Sequence, residues 1–317
     1  MNRDSFADLH PVISLLYFSL VVGLTCFFTH PLCLGISLAC AGAYVLYLGK
    51  NQVASEGIKL LKFRYMLPLV LLTAVFNPLF NHQGQTILGY LPDGNPLTLE
   101  SIFYGVAASI MLVTVLIWFS CFTSVMTGEK FVYLFGRLLP ALSLTLAMAL
   151  RFVPRFQTQL QIIVSAQKGL RKDLTKGRLL TRARHGLKIL SILITWALEN
   201  AVETASNMKN RGYGLPGRTA FSIYRFDRRD MIMLGYIVVC LSLIMVGALF
   251  KTYDFLYFPS IHNPEFNYFS LVSFTAYLSL NILPVIFNFK EDLMWKRIAS
   301  KTSVSPTPTG TVPRWTI

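Results

Sequence analysis

The stretch of this sequence best suited to recognition is Asn210-Arg211-Gly212-Tyr213-Gly214. Gly212 fits a left-handed helix C-cap, and Gly214, Pro216 and Gly217 keep the helix from continuing. Arg211 then falls in the last turn, where a cation complements the helix dipole. That role alone would account for an arginine. A functional reading gives it more: a rigid helix presents a planar guanidinium fork at its tip, able to grip carboxylates or backbone carbonyls in a partner's acidic groove. Catalytic chemistry is hard to assemble from the other residues. There is no G-x-x-x-x-G-K-[ST] phosphate loop, so ATP chemistry would have to come from a partner. His10, His30, His82, His185 and His262 are scattered without metal-ligand spacing, and the five cysteines contain no C-x-x-C. Asn77 and His82 form a polar pair beside an apolar run, but with no companion acid or base. Asn77-Pro78 reads as a helix-ending turn.

The recognition helix belongs to a basic block. Between Arg151 and Arg229 lie 16 of the 29 Lys and Arg residues, against four carboxylates, Asp173, Glu199, Glu203 and Asp227. From Pro154, a residue suited to a first helical turn, a helix is expected to about Lys172. Its stripe is Phe156, Leu160, Ile163, Gln167 and Leu170. A second is expected from about Gly186 to Arg211, roughly 39 Å long. Leu190, Ile194, Ala197, Ala201, Ala205 and Met208 share one face. Small residues at every fourth position, Ala197, Ala201 and Ala205, either mark the place where the two helices cross or belong to an ordinary alanine-rich helix.

These helices sit inside a membrane protein. Hydrophobic residues make up 54% of the chain and charged residues 14%, a balance that places much of it in lipid. No Lys or Arg occurs between Tyr65 and Glu129, so the +14 net charge follows membrane topology rather than nucleic-acid binding. Apolar runs at 12–29, 32–49, 65–80, 101–122, 231–250 and 268–289 suggest six spans. Arg3, Lys50, Lys59, Lys62 and Arg64 flank the first pair, whereas the 81–99 loop has no basic residue. The positive-inside rule therefore puts both termini in the cytoplasm. The first run reads as a retained span, not a signal peptide. Residues 131–150 are apolar, but Arg137 and Pro140 interrupt them, and a span there would export the basic block. They read as a helix at the cytoplasmic boundary or packed against the spans. The expected organisation is all-α: spans one to four in 1–127, cytoplasmic helices in 128–229, spans five and six in 230–290, and a disordered cytoplasmic tail in 291–317.

Three stretches carry a resemblance. They are Phe76-Asn77-Pro78-Leu79-Phe80-Asn81-His82-Gln83-Gly84 with Thr86 after it, Ala149-Leu150-Arg151-Phe152-Val153-Pro154, and Met208 to Gly214. In their order and spacing, over about residues 5–290, the chain resembles the T component of energy-coupling factor transporters, the EcfT/CbiQ family. The resemblance implies a helical membrane scaffold in the bacterial or archaeal cell membrane. It would join two ABC ATPases, identical or different, to a small membrane substrate-binding S component. Each of two coupling helices would end in a short Ala-Arg-Gly-like motif that docks into one ATPase. Asn210-Arg211-Gly212 matches the second motif, with Asn in place of Ala. The first departs from the pattern: after Ala166-Gln167 come Lys168-Gly169-Leu170-Arg171, with Leu170 where the arginine belongs. Either Arg171 docks after a register shift, or Lys168 and Lys172 share the role. Arg151, Phe152, Pro154 and the alanines would set the packing of the coupling helices. The resemblance implies no catalysis and no cofactor bound by this chain, with ATP and Mg held in the partner ATPases. Vitamins and transition-metal ions both remain possible as the solute. Two rivals stand beside this reading: a self-sufficient permease or intramembrane enzyme, and a surface binder of anionic lipid.

Overall fold

In an apolar surrounding each backbone N–H and C=O must find a partner within the protein, and the helix meets that demand locally. The computed structural model describes residues 6–50, 63–90, 94–138, 140–170, 179–213, 215, 224, 226–260 and 267–302. Its elements are α1 (Pro11–Phe27), α2 (Pro31–Lys50), α3 (Phe63–Phe80), β1 (Ile87–Tyr90), β2 (Pro96–Thr98), α4 (Leu99–Val125), α5 (Gly128–Leu138), α6 (Pro140–Gly169), α7 (Leu179–Asn210), α8 (Arg228–Leu249) and α9 (Tyr268–Thr302). They form two compact units, one of Met1–Thr127 with Phe226–Ile317, the other of Gly128–Arg225.

In the first unit each of the six apolar runs is a helix. Four of them, at Pro31–Gly49, Leu99–Val125, Arg228–Leu249 and Tyr268–Trp295, are long and apolar enough to cross a membrane. The other two, Pro11–Phe27 and Pro68–Phe80, are shorter apolar helices. The all-α expectation holds apart from one small antiparallel ribbon, with Ile87 opposite Thr98 and Tyr90 opposite Pro96. Strands of four and three residues are too short to leave a readable alternation. α9 runs on to Thr302, so the start of the expected tail at 291 is helical, and residues 303–317 lie outside the described residues. Pro78 does not end α3 as expected but lies inside it.

The core of this unit is aromatic. Trp118, Tyr17, Tyr44 and Tyr277 are fully or almost fully buried, and Phe6 and Phe18 meet Tyr17 edge-on at 5.2 and 5.3 Å. The Trp118 Nε1–H donates to Ser37 Oγ at 3.0 Å, and Ser37 in turn lies 3.0 Å from Thr25 Oγ1. Pro284 interrupts α9 and has no N–H to offer the Leu280 carbonyl one turn back. The Tyr17 hydroxyl supplies that donor, 3.2 Å from Leu280 O and 3.3 Å from Asn281 O. Burial pushes the Tyr253 and Tyr257 hydroxyls up to about 12, so both remain donors, to Ser273 O at 3.0 Å and Thr29 O at 2.8 Å. The chain's return from the second unit is also pinned. Asp230, buried in the first turn of α8, accepts from His10 N at 3.2 Å and Asp227 N at 3.0 Å.

The second unit consists of α5, α6 and α7. α6 is one helix from Pro140 to Gly169, so the expectation that it begins at Pro154 is corrected: Pro140 takes the first-turn position and Pro154 lies in the interior. α7 likewise begins at Leu179, seven residues before Gly186, since a single interior glycine costs only about 1 kcal/mol.

Two outcomes test this packing. Tyr17→Phe leaves the buried Leu280 carbonyl without its donor and removes a second bond to Asn281 O, and should lower unfolding free energy by about 1–3 kcal/mol in denaturant titrations. His30 is buried between α1 and α2, its Nδ1 accepting from Leu32 N at 3.2 Å, and burial lowers its pKa. A base with a lowered folded pKa contributes stability above its unfolded pKa and loses it below. The unfolding temperature should therefore fall as pH drops below about 6.5, and His30→Gln should flatten that slope.

Candidate functional site at the ends of the long helices

The end of α7 is built from backbone bonds. Gly212 has φ +71°, the left-handed conformation that glycine adopts without steric cost. Gly212 N–H donates to Lys209 O at 3.0 Å and Tyr213 N–H to Met208 O at 3.1 Å, the paired bonds of a Schellman motif. Arg211 N–H still donates to Asn207 O at 3.1 Å, so Arg211 stands on the last helical turn. The residues Asn210 and Arg211 are exposed, and Gly212 is half-buried. The cap thus fixes the direction of the guanidinium's stem while leaving the residue at the surface.

The end of α6 is less specific. Leu170 N–H donates to Ala166 O at 3.3 Å, just past the last helical residue, Gly169. Lys168, Gly169 and Leu170 are exposed; Arg171 and Lys172 lie outside the described residues.

α6 and α7 pack through larger side chains than the alanines. The rings of Phe156 and Trp196 meet edge-on at 5.7 Å, Phe152 lies 6.1 Å from Phe156, and Ile163 and Ile189 are buried. Ala197, next to Trp196, is half-buried, but Ala201 and Ala205 are exposed, as are Arg151 and Pro154. Of the two readings of the alanines, the ordinary alanine-rich helix fits: the contact between the helices is the Phe156–Trp196 ring pair, and Ala201 and Ala205 turn out of it.

A second motif, at the end of α3, proves to be architectural. The carboxylate of Glu100, in the first turn of α4, accepts from Thr86 Oγ1 at 2.6 Å and Thr86 N at 3.2 Å. Gly84, at φ +145°, lies so close that a Cβ there would come within 2.5 Å of Glu100 Oε2. Thr98 Oγ1 donates to Gln83 O at 2.8 Å, and Ser101 Oγ to Asn81 O at 2.5 Å. The loop Asn81–Thr86 is thus tied to the start of α4. Asn77 Oδ1 and His82 Nδ1 are buried without a hydrogen-bond partner among the described residues. Sequence reading passed over Glu100; its signal is a lone acid opening an apolar helix, where the dipole favours it.

A family model described as CbiQ, cobalt transport protein, matches residues 5–221, more than half of the chain. The chain belongs to the EcfT/CbiQ family. Among relatives, the energy-coupling factor transporter transmembrane protein EcfT of Lactobacillus helveticus (strain DPC 4571) is 32% identical over 106 residues, covering 33% of this chain and 38% of that protein. The EcfT protein of Lacticaseibacillus paracasei is 33% identical over 106 residues, 33% of this chain and 40% of its own length. An uncharacterized protein of Mycoplasma pneumoniae, the MG181 homolog, is 30% identical over 181 residues, 52% of this chain and 42% of its own. The chain thus aligns with less than half the length of each of these relatives. For a member of the EcfT/CbiQ family, the exposed ends of α6 and α7 are the candidate interaction site.

The cap of α7 can be tested alone. Gly212→Ala puts a Cβ into the left-handed region at about 1–2 kcal/mol. Amide exchange at positions 212 and 213 should speed up roughly fivefold or more, with the middle of α7 unchanged.

Proposed function

We propose that this chain is the transmembrane coupling subunit of an energy-coupling factor importer. It binds two ABC ATPases at the ends of α6 and α7, and a separate small membrane S component that selects a vitamin or a transition-metal ion. The observation that carries this reading is the Schellman-capped end of α7, which holds Arg211 exposed on a rigid last turn. The family membership supports it.

The mechanism is mechanical. The chain contributes no phosphate loop, so ATP and Mg are bound and hydrolysed in the partner ATPases, and this subunit carries no cofactor. Closure of the ATPase pair carries the docked helix ends with it. A helix of 32 residues, α7, transmits displacement along its axis because its ladder of hydrogen bonds resists stretching. The Phe156–Trp196 contact passes that movement between α6 and α7. The tilt of the S component follows. In this arrangement the second unit lies in the cytoplasm of a bacterial or archaeal cell, with both termini on that side. At the first docking end Leu170 falls at the arginine's place in the pattern, and either Arg171 docks after a register shift or Lys168 and Lys172 share the role.

The test is recovery of ATPases with the tagged chain from native membranes, comparing wild type with Arg211→Glu. Wild type should bring down ATPases and a small membrane protein. Reversal of one charge in a docked pair should cut ATPase recovery by on the order of tenfold or more while leaving the small subunit bound. Undiminished recovery and uptake with Arg211→Glu would remove Arg211 from the interface, and wild type without any ATPase would reject the coupling role.

A further inference from the structure

The second unit is joined to the first by two connections, one after Thr127 and one before Phe226. Along the backbone, a pull in that unit reaches the apolar helices only at these two points. The entering connection follows Val125 and Met126, whose side chains are buried, so apolar packing holds it. The returning connection leads into the first turn of α8, where Phe226, Asp227, Arg228 and Arg229 are all exposed. The first N–H groups of a helix have no partner within the helix, so a bare start frays when pulled.

The start of α8 is not bare. Asp230 is 4% exposed, and its two oxygens serve different helices. Oδ2 accepts from Asp227 N at 3.0 Å, at the N-cap of its own helix. Oδ1 accepts from His10 N at 3.2 Å, at the N-cap of α1, from a residue 220 positions away in sequence. α1 has no acid in its own first turn, so the anion that its dipole favours is supplied by α8. One buried carboxylate thus fastens two helix starts together. Two further contacts flank it. The rings of Phe226 and His10 meet edge-on at 5.4 Å, and Arg229 Nη1 lies 3.0 Å from Glu291 Oε1 on α9. The arginine of that pair is exposed, and such a pair contributes little. Asp230 is buried, and its loss would leave two backbone N–H groups without their acceptor.

We propose that Asp230 is a positioning residue for coupling, an assignment that rests on the proposed coupling role. It keeps the first turn of α8 closed under load and ties it to the start of α1. A pull arriving at Phe226 then shifts α1 and α8 together instead of unwinding the connection. Asp230 acts through the backbone of His10 and Asp227. The task requires a carboxylate, because both of its oxygens accept. An amide of the same size offers one acceptor and one donor group, and the donor group would meet one of the two N–H groups.

The test uses the tagged chain recovered with its ATPases from native membranes, as wild type and as Asp230→Asn. Amide exchange is followed by mass spectrometry across residues 226–233, once without nucleotide and once during ATP hydrolysis. In the wild type, exchange should be the same in both states. In Asp230→Asn it should be roughly tenfold faster or more during hydrolysis than without nucleotide, with ATPase recovery unchanged. A residue that only stabilises α8 would raise exchange equally in both states; that result, or no rise in either, would overturn the proposal. His10→Pro breaks the same bond from the side of α1. It removes the N–H and keeps the φ of −55° that His10 already has, so it should reproduce the effect should Asp230→Asn fail to fold. A wild type that opens at 226–233 during hydrolysis would overturn the anchor and leave the coupling role standing. Wild type recovered without any ATPase would overturn both.

Discussion

A proline inside a helix strips the carbonyl one turn back of its donor, and within lipid that carbonyl must be met by another part of the protein. In the first unit this requirement decides which helices touch and where. Pro284 frees the Leu280 carbonyl of α9, and the hydroxyl of Tyr17 on α1 meets it. Tyr17 reaches that point because its ring is buried against Phe6, Phe18 and Trp118. Pro78 does the same to the Ala74 carbonyl of α3, and there the answer is a glycine. Gly105 of α4 approaches so closely that a Cβ would sit 2.9 Å from Ala74 O, which brings polarised Cα–H groups to the carbonyl in place of an N–H. Further along the same seam, Thr73 Oγ1 and Ser109 Oγ pair at 2.7 Å. The α3–α4 contact, and through it the Glu100 tether of the following loop, inherits its position from that close approach.

The second unit obeys a different constraint. Its helices expose large apolar side chains along much of their length, and the described contact between α6 and α7 is narrow, centred on Phe156 and Trp196. A narrow contact between two long helices leaves both with faces to give to others. Its most sharply defined feature is local: the Schellman cap at Gly212 stops α7 within one residue and places Arg211 on its last turn. The capped tip and the exposed apolar shaft are thus separate features of one helix. One depends on a backbone turn and the other on a side-chain stripe.

Much of this was legible from local chemistry. The six apolar helices, the C-cap at Gly212 and the exposed arginine before it depend on hydropathy and on glycine's access to positive φ, both of which are properties of short stretches. Prolines misled in a consistent way. Pro154 and Pro78 carry the local signals of a boundary, yet both lie inside helices, because the cost of one missing hydrogen bond is smaller than the gain from continuing a long helix. The alanine ladder is ambiguous in the sequence for another reason. Spacing shows that Ala197, Ala201 and Ala205 lie near one another on a helix, but not which of that helix's two apolar faces is in contact.

The sequence by itself determined the class of the molecule, its family, the helical segments and the tip of α7, since each follows from composition or from contacts within a few residues. Tertiary structure alone decided that Glu100 secures the loop after α3, that Tyr17 serves the carbonyls beside Pro284, that Asp230 pins the N-terminal segment to α8, and that α7 meets α6 through Trp196 while its leucine stripe faces away. Each of these joins groups 14 or more residues apart, and the partner of a buried donor or acceptor is chosen by where folding places it in space, not by anything written in its own neighbourhood.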